Sequence, residues 1–215
     1  MSKKNVFILF ILLTNNLLFA QSTIFLRFSG IGYHPFEKPN LPLYENKIDA
    51  NGNFNAEPGI ILGLEKYIRG NFLSFQITQG MYSDVVAKQA GFTNFSLRRQ
   101  FYHKYKNHFY ISMGATIAYR KDWRQMPGYV KDGDFKVNGK WQNKWLFSSS
   151  FVYDYYLTKR LDLCFAVMYG YEYRAITPTL GVRFWVNPNV KVDECDCTKR
   201  FDQGRLRKWM KIHFR

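Results

Sequence analysis

At 215 residues the chain allows one domain, and it combines 19% aromatic residues with a formal net charge of +15 and a mean hydropathy below zero. That combination is unusual for a soluble globule. A barrel in lipid accounts for it, because each strand alternates an apolar outward residue with a polar inward one and aromatics gather in two interfacial girdles.

The N-terminus places Lys3 and Lys4 before an apolar run from Val6 to Leu13. Thr14, Asn15 and Asn16 interrupt the run, and Leu17 to Ala20 complete a secretory signal expected to be cut after Ala20. The interruption denies the roughly 20 apolar residues that a spanning helix needs. No comparable run follows, so any crossing of a membrane falls to strands. Export, with no nucleic-acid-binding motif, directs the positive charge toward anionic lipid head groups rather than nucleic acid.

Eight period-2 stretches follow at fairly even spacing. The first, 23 to 33, sets Ile24, Leu26 and Phe28 against Arg27 and Ser29. The second, 59 to 68, sets Ile60, Leu62 and Leu64 against Gly63 and Glu65. The third, 71 to 81, sets Leu73, Phe75 and Ile77 against Ser74, Gln76, Thr78 and Gly80. The fourth, 91 to 101, is the least regular, with Phe95, Leu97 and Phe101 opposite Asn94, Ser96 and Arg98. The fifth, 108 to 120, alternates Phe109, Ile111 and Met113 with Ser112, Gly114, Thr116 and Arg120. The sixth, 144 to 157, alternates Trp145, Phe147 and Phe151 with Ser148, Ser150 and Asp154. The seventh, 160 to 173, sets Leu161, Leu163, Phe165 and Val167 against Cys164, Ala166, Gly170 and Glu172. The eighth, 176 to 187, sets Leu180, Val182 and Phe184 against Thr179, Gly181 and Arg183.

Most of these runs reach the roughly 9 to 11 residues that a tilted strand needs to cross a bilayer, and their number is even. The expected fold is all-β, an eight-stranded antiparallel transmembrane β-barrel over 21 to 187. Connections after the second, fourth and sixth strands are short, whereas 34 to 58 and 121 to 143 are long; short turns belong on the periplasmic side and long loops outside. The link between the last two strands is also short, leaving one side of the mouth low. Residues 188 to 215 form a basic periplasmic C-terminal tail. It carries Lys199, Arg200, Arg205, Arg207, Lys208, Lys211 and Arg215 against one acid, Asp202. This tail reads equally as an interfacial helix presenting Leu206, Trp209 and Met210 or as a solvated disordered segment.

Residues 23 to 187 resemble the small eight-stranded outer-membrane barrels of bacteria. Thr179-Leu180-Gly181-Val182-Arg183-Phe184-Trp185-Val186 looks like the assembly signal on the last strand of such proteins, which implies location in the cell outer membrane. The chain differs from many of them in continuing past that strand. A weaker resemblance is to the lipid A palmitoyltransferase, a barrel whose His, Asp and Ser lie on outer loops. His34 and Ser83-Asp84 occupy comparable places, with glycines and aromatics between Gly59 and Tyr82, although Ser and Asp stand in reversed order.

Acyl transfer needs a nucleophile, a base and a group that orients the base. His34, Ser83 and Asp84 are the candidate catalytic residues, and the strands that carry them should lie about 10 Å apart. Inward charges form a second group: Arg27, Glu65, Arg98, Arg120, Asp154, Glu172, Arg174 and Arg183. Charges inside so narrow a barrel must pair, so these read as a plug of salt bridges. Small inward residues, among them Thr78, Gly80, Gly114, Thr116, Ala118, Ser148 and Gly170, leave room for a pocket open to the outside, unless Trp123, Tyr129 and Trp141 fold in and fill it. Asp132-Gly133-Asp134 reads as turn chemistry rather than a metal site. Cys195 and Cys197 are too close in sequence to bond each other readily.

Two functions follow as expectations. The first is a structural or interaction role, in which basic loops (Lys121, Arg124, Lys131, Lys136, Lys140) and the tail engage outer-membrane lipid, lipopolysaccharide or a periplasmic partner. The second is a lipid A acyl-modifying enzyme, an acyltransferase or deacylase, with an outward-facing site. Neither expectation calls for a cofactor, a metal or nucleic acid.

Overall fold

The computed structural model describes residues 22–36, 38–69, 72–131, 135–171 and 175–186. The signal segment 1 to 20, the tail 188 to 215 with Cys195 and Cys197, Asp132 and Asp134, and Glu172 and Arg174 lie outside the described residues.

The strands are β1 (Ser22–Tyr33), β2 (Phe54–Arg69), β3 (Leu73–Ser83), β4 (Gln89–Lys104), β5 (Asn107–Lys121), β6 (Lys136–Asn138), β7 (Trp141–Tyr156), β8 (Leu161–Gly170) and β9 (Ala175–Trp185). The eight long strands pair antiparallel in chain order, with β5 beside β7. Strand β9 returns to β1, Phe28 opposite Leu180, and closes the barrel. The short β6 stands outside this wall. It folds back on β7 through a turn at Gly139, whose φ of 60° suits a residue without a side chain. Its three residues sit inside the segment read from sequence as plain loop, because so short a strand shows no alternation. Strand β2 starts five residues earlier than its alternation suggests and brings Glu57 into the wall.

Alternation turns this protein inside out. Ile60, Leu62 and Leu64 are 51%, 53% and 54% exposed, while Glu65, Arg98 and Asp154 are buried. Water would drive such a belt to aggregate, whereas hydrocarbon solvates it, and the closed ladder supplies the backbone pairing that hydrocarbon demands. Aromatics ring both ends. Tyr33 packs on Phe54, Tyr119 on Trp141 and Phe147 on Tyr171 at the long-loop end. Phe101, Tyr102 and Tyr153 gather around Phe109 at the other.

Two glycines let neighbouring backbones close up. A Cβ on Gly114 would run into the Phe95 carbonyl and Ser96 Cα, and one on Gly181 into the Leu26 carbonyl and Arg27 Cα.

Strand β1 is irregular near its outer end. Its pairing with β2 slips between Ser29 and Ile31, and that with β9 breaks between Ser29 and Tyr33. Gly30 and Ile31 are both exposed, and Gly32 is buried. A bulge of this kind reverses the alternation. Inward positions therefore pass from odd (Phe25, Arg27) to even (Gly32, His34), which turns His34 into the lumen.

Candidate functional site: an outward cavity above a charged plug

The lumen has two levels. Toward the short turns, Arg98 Nη1 donates to Glu65 Oε1 at 2.7 Å and Arg98 Nη2 to Asp154. Arg183 Nη1 lies 3.1 Å from Glu65 Oε2 and 2.8 Å from Asp154 Oδ2. Thr23 and Ser74 hydroxyls complete the shell of Glu65, and the Cys164 thiol donates to Asp154 Oδ1 at 2.5 Å. Rings take up the remaining faces: the Arg98 guanidinium lies 3.3 Å over Tyr110, and Arg27 lies 4.5 Å over Phe25. Buried Asp162 accepts from Trp185 Nε1 at 2.5 Å. Two arginines, Arg98 and Arg183, thus each meet the two carboxylates Glu65 and Asp154, and buried charges persist on such terms. These groups close the lumen at this level.

Above them lies a cavity of about 530 Å³. All eight barrel strands contribute to its wall. Ile61, Ala90, Phe92, Ala118, Leu146 and Met168 make much of it apolar. On its floor the Thr116 and Ser148 hydroxyls lie 2.7 Å apart, and Asn94 Nδ2 donates to both.

The cavity is capped on one side by ordered loops. Val85, Val86 and Trp123 form a small apolar core, against which Leu43, Tyr44, Met126 and Tyr129 pack. Asn40 ties this cap together, donating to the Val130 carbonyl at 2.9 Å and accepting from its N–H at 2.7 Å. Trp123 therefore folds over the mouth, but the space beneath it stays open. Trp141 instead packs against Tyr119.

The three residues considered for catalysis take separate partners. His34 Nε2 lies 3.2 Å from Glu57 Oε2, and both side chains line the cavity. Asp84 also lines it, and its carboxylate accepts from Trp123 Nε1 (2.9 Å), Lys88 N (2.8 Å) and Val86 N (3.1 Å). Burial raises the Asp84 carboxyl above its ordinary value, an effect those three donors offset only in part. Ser83 accepts from Asn46 Nδ2 at 3.4 Å and lines a shallow groove on the outer face of β1, β2 and β3. His34 is paired with Glu57, not with Ser83 or Asp84.

Arg120 sits at the rim. Its guanidinium lies between two rings, 3.7 Å from Trp123 and 3.9 Å from Phe135, and its Nε donates to Gln142 Oε1 at 2.8 Å. Gln142 in turn donates to Asp122 at 2.9 Å. Arg124 donates to both Asp122 oxygens, which holds that carboxyl below its ordinary value.

Sequence reasoning missed Glu57, Gln142 and Asp162. Asp162 was within reach, since it shares the inward parity of Cys164. Glu57 was hidden because the start of β2 reads as loop.

A closed antiparallel barrel with an apolar outer belt, aromatic rings at both ends and a polar, plugged lumen defines a transmembrane β-barrel of the outer-membrane type. No family model and no curated protein matches the chain. Among solved structures, the chain is similar to Neisserial surface protein A at 11% identity, covering 76% of this chain and 95% of that one, with a TM-score of 0.48. A de novo designed transmembrane β-barrel is similar at 7% identity, with 77% and 95% covered and a TM-score of 0.46. The Yersinia pestis outer membrane protein Ail is similar at 9% identity, with 77% and 99% covered and a TM-score of 0.42. The assignment of the fold rests on the strand pairing above.

Proposed function

We propose that this chain is an integral outer-membrane protein with an interaction role, whose lumen serves as an outward-facing receptacle for a small ligand. The signal over 1 to 20 would carry it across the inner membrane, and the short turns and the basic tail would face the periplasm. The tail and the basic loops around Lys121, Arg124 and Lys140 would engage anionic lipid, lipopolysaccharide or a periplasmic partner. The observation that carries the proposal is a blind cavity: about 530 Å³ of partly apolar space under an ordered cap and above a closed plug. That volume falls within the usual range of small-molecule sites, roughly 300 to 1,000 Å³. A conduit would need a path past Arg98, Glu65, Asp154 and Arg183.

The test is native mass spectrometry of the protein extracted from outer membranes, after a gel shift with and without boiling has verified a folded barrel. A bound small molecule that disappears on filling the cavity with Leu146→Trp is the expected result. An unliganded barrel that takes up nothing from a membrane extract would overturn the receptacle.

A second reading, a lipid A acyl-modifying enzyme, is favoured by the His34 and Glu57 pair, in which a carboxylate orients a cavity-facing imidazole as it would a general base. The candidate residues for that chemistry are His34, Ser83 and Asp84, with Glu57 added as the group that orients His34. Mass spectrometry of lipid A from cells with wild-type protein and with His34→Ala decides it: an acyl pattern that changes with His34 supports an enzyme, and identical lipid A argues against one.

A further inference from the structure

The receptacle has one feature that speaks to the chemistry of its occupant, and the inference from it rests on the receptacle reading. Arg120 is 7% exposed and lines the cavity, and among the described residues its Nη2 has no hydrogen-bond partner. Leaving a buried guanidinium N–H unsatisfied is costly, and the geometry around it prevents rotation to a partner. Trp123 and Phe135 clamp the two faces, and Gln142 holds Nε. The nearby carboxylates are engaged elsewhere. Asp122 is bonded to Arg124 and Gln142, Asp84 is bonded to Trp123 and two backbone N–H groups, and Glu57 is bonded to His34. What remains is one edge of a fixed cation, at the rim of a cavity whose wall is of mixed character, with an apolar stretch at Ile61, Ala118 and Leu146. A second cation, Lys38, lines the same cavity.

We infer that the cavity takes a single-chain amphiphile with an anionic oxygen head, a carboxylate or a phosphate, held by Arg120 with the alkyl chain descending between Ala118, Leu146 and Ile61. A planar guanidinium suits an oxyanion with two acceptor atoms. The apolar stretch formed by Ile61, Ala118 and Leu146 suits a hydrocarbon chain, and the hydroxyl floor at Thr116 and Ser148 limits its depth. A cationic head would meet carboxylates that already have donors and an arginine that repels it.

The experiment uses the full-length mature protein in nanodiscs of neutral phospholipid, with binding counted by native mass spectrometry. Probes are dodecanoate and dodecyl phosphate, and the comparison chains are dodecanol and dodecyltrimethylammonium. Wild type is expected to bind both anionic probes in preference to the cationic one. Arg120→Gln is expected to weaken them about tenfold or more while leaving dodecanol unchanged. Arg120→Lys keeps the charge without the fork and is expected to fall between the two. The gel shift shows that each variant is folded. Anionic probes that bind equally well to Arg120→Gln, or a cationic probe that binds as tightly as they do, would overturn the anionic head and leave the receptacle standing. If no chain-bearing probe binds wild type, the amphiphile falls, and the membrane-extract measurement above decides the receptacle separately. Dodecanoate and dodecyl phosphate, compared with each other, separate a fatty-acid source from a phospholipid one.

Discussion

Trp123 donates its indole N–H to the carboxylate of Asp84 across 2.9 Å, joining the loop after β5 to the loop after β3. Asp84 also accepts two backbone N–H groups, so one side chain organises three donors in the cap. Removing it leaves them unsatisfied. Asp84→Ala should destabilise the cap by about 1–3 kcal/mol, while Asp84→Asn, which keeps an acceptor, should cost less. Hydrogen exchange at residues 84 to 88 and 122 to 130 is the check, with exchange in the barrel strands unaffected.

The same cap should respond to pH in two opposing ways. The folded Asp84 carboxyl holds its proton more tightly than it would unfolded, so its contribution is greatest in acid and declines as pH rises from about 3.8 through its raised value. Asp122 is shifted downward by Arg124, so its contribution is complete above about 3.8 and is lost as pH falls through its depressed value. Protection of the cap amides should therefore rise from pH 7 toward about pH 4 and fall below that. In Asp84→Asn the rise should vanish and the fall remain.

Cutting one carboxylate out of the lumen plug strands two arginines. Glu65→Ala or Asp154→Ala should lower barrel stability by about 3–5 kcal/mol, read from urea unfolding in lipid vesicles. Loss of Arg98 together with Glu65, replaced by Met and Leu, should cost less than either single change.

Gly181→Ala should block or slow barrel closure, since a Cβ there meets the backbone of β1 at Leu26 and Arg27. Gly30→Ala meets nothing within 4 Å and should be tolerated. The proportion of heat-modifiable protein recovered from membranes compares the two.

Cys164 is fully buried and bonded to Asp154. In a chain carrying Cys195→Ser and Cys197→Ser, a maleimide should label nothing before boiling and one thiol per chain after it. Labelling of the folded form would mean that the plug admits solvent.

Most of the wall was legible from sequence because a barrel in lipid needs period-2 alternation over long runs, and Ile60, Leu62 and Leu64 against Gly63 and Glu65 satisfies no other fold as well. The inward arginines followed from the same parity. What alternation could not reveal lies where alternation fails. His34 has the parity of the lipid-facing Leu26 and Phe28, and only the bulge at Gly30 and Ile31 turns it inward; Glu57 lies in a stretch with a proline beside it. Pairings between distant segments, such as Trp123 with Asp84 or Asn40 with Val130, depend on how loops fold across the mouth, and no local pattern encodes them.

The polar half of every strand has a consequence before the barrel exists. A segment that alternates Ile, Leu and Phe with Ser, Gln, Arg and Glu is too polar on average to be halted in a bilayer as a stop-transfer segment, and no helix among the described residues is long and apolar enough to cross. The unfolded chain therefore reads as translocatable cargo to an inner membrane, and acquires a lipid-soluble surface only when Phe28 comes to lie opposite Leu180 and all eight strands point their apolar side chains the same way. Sorting between two membranes is thus written into the spacing of residues rather than into their number.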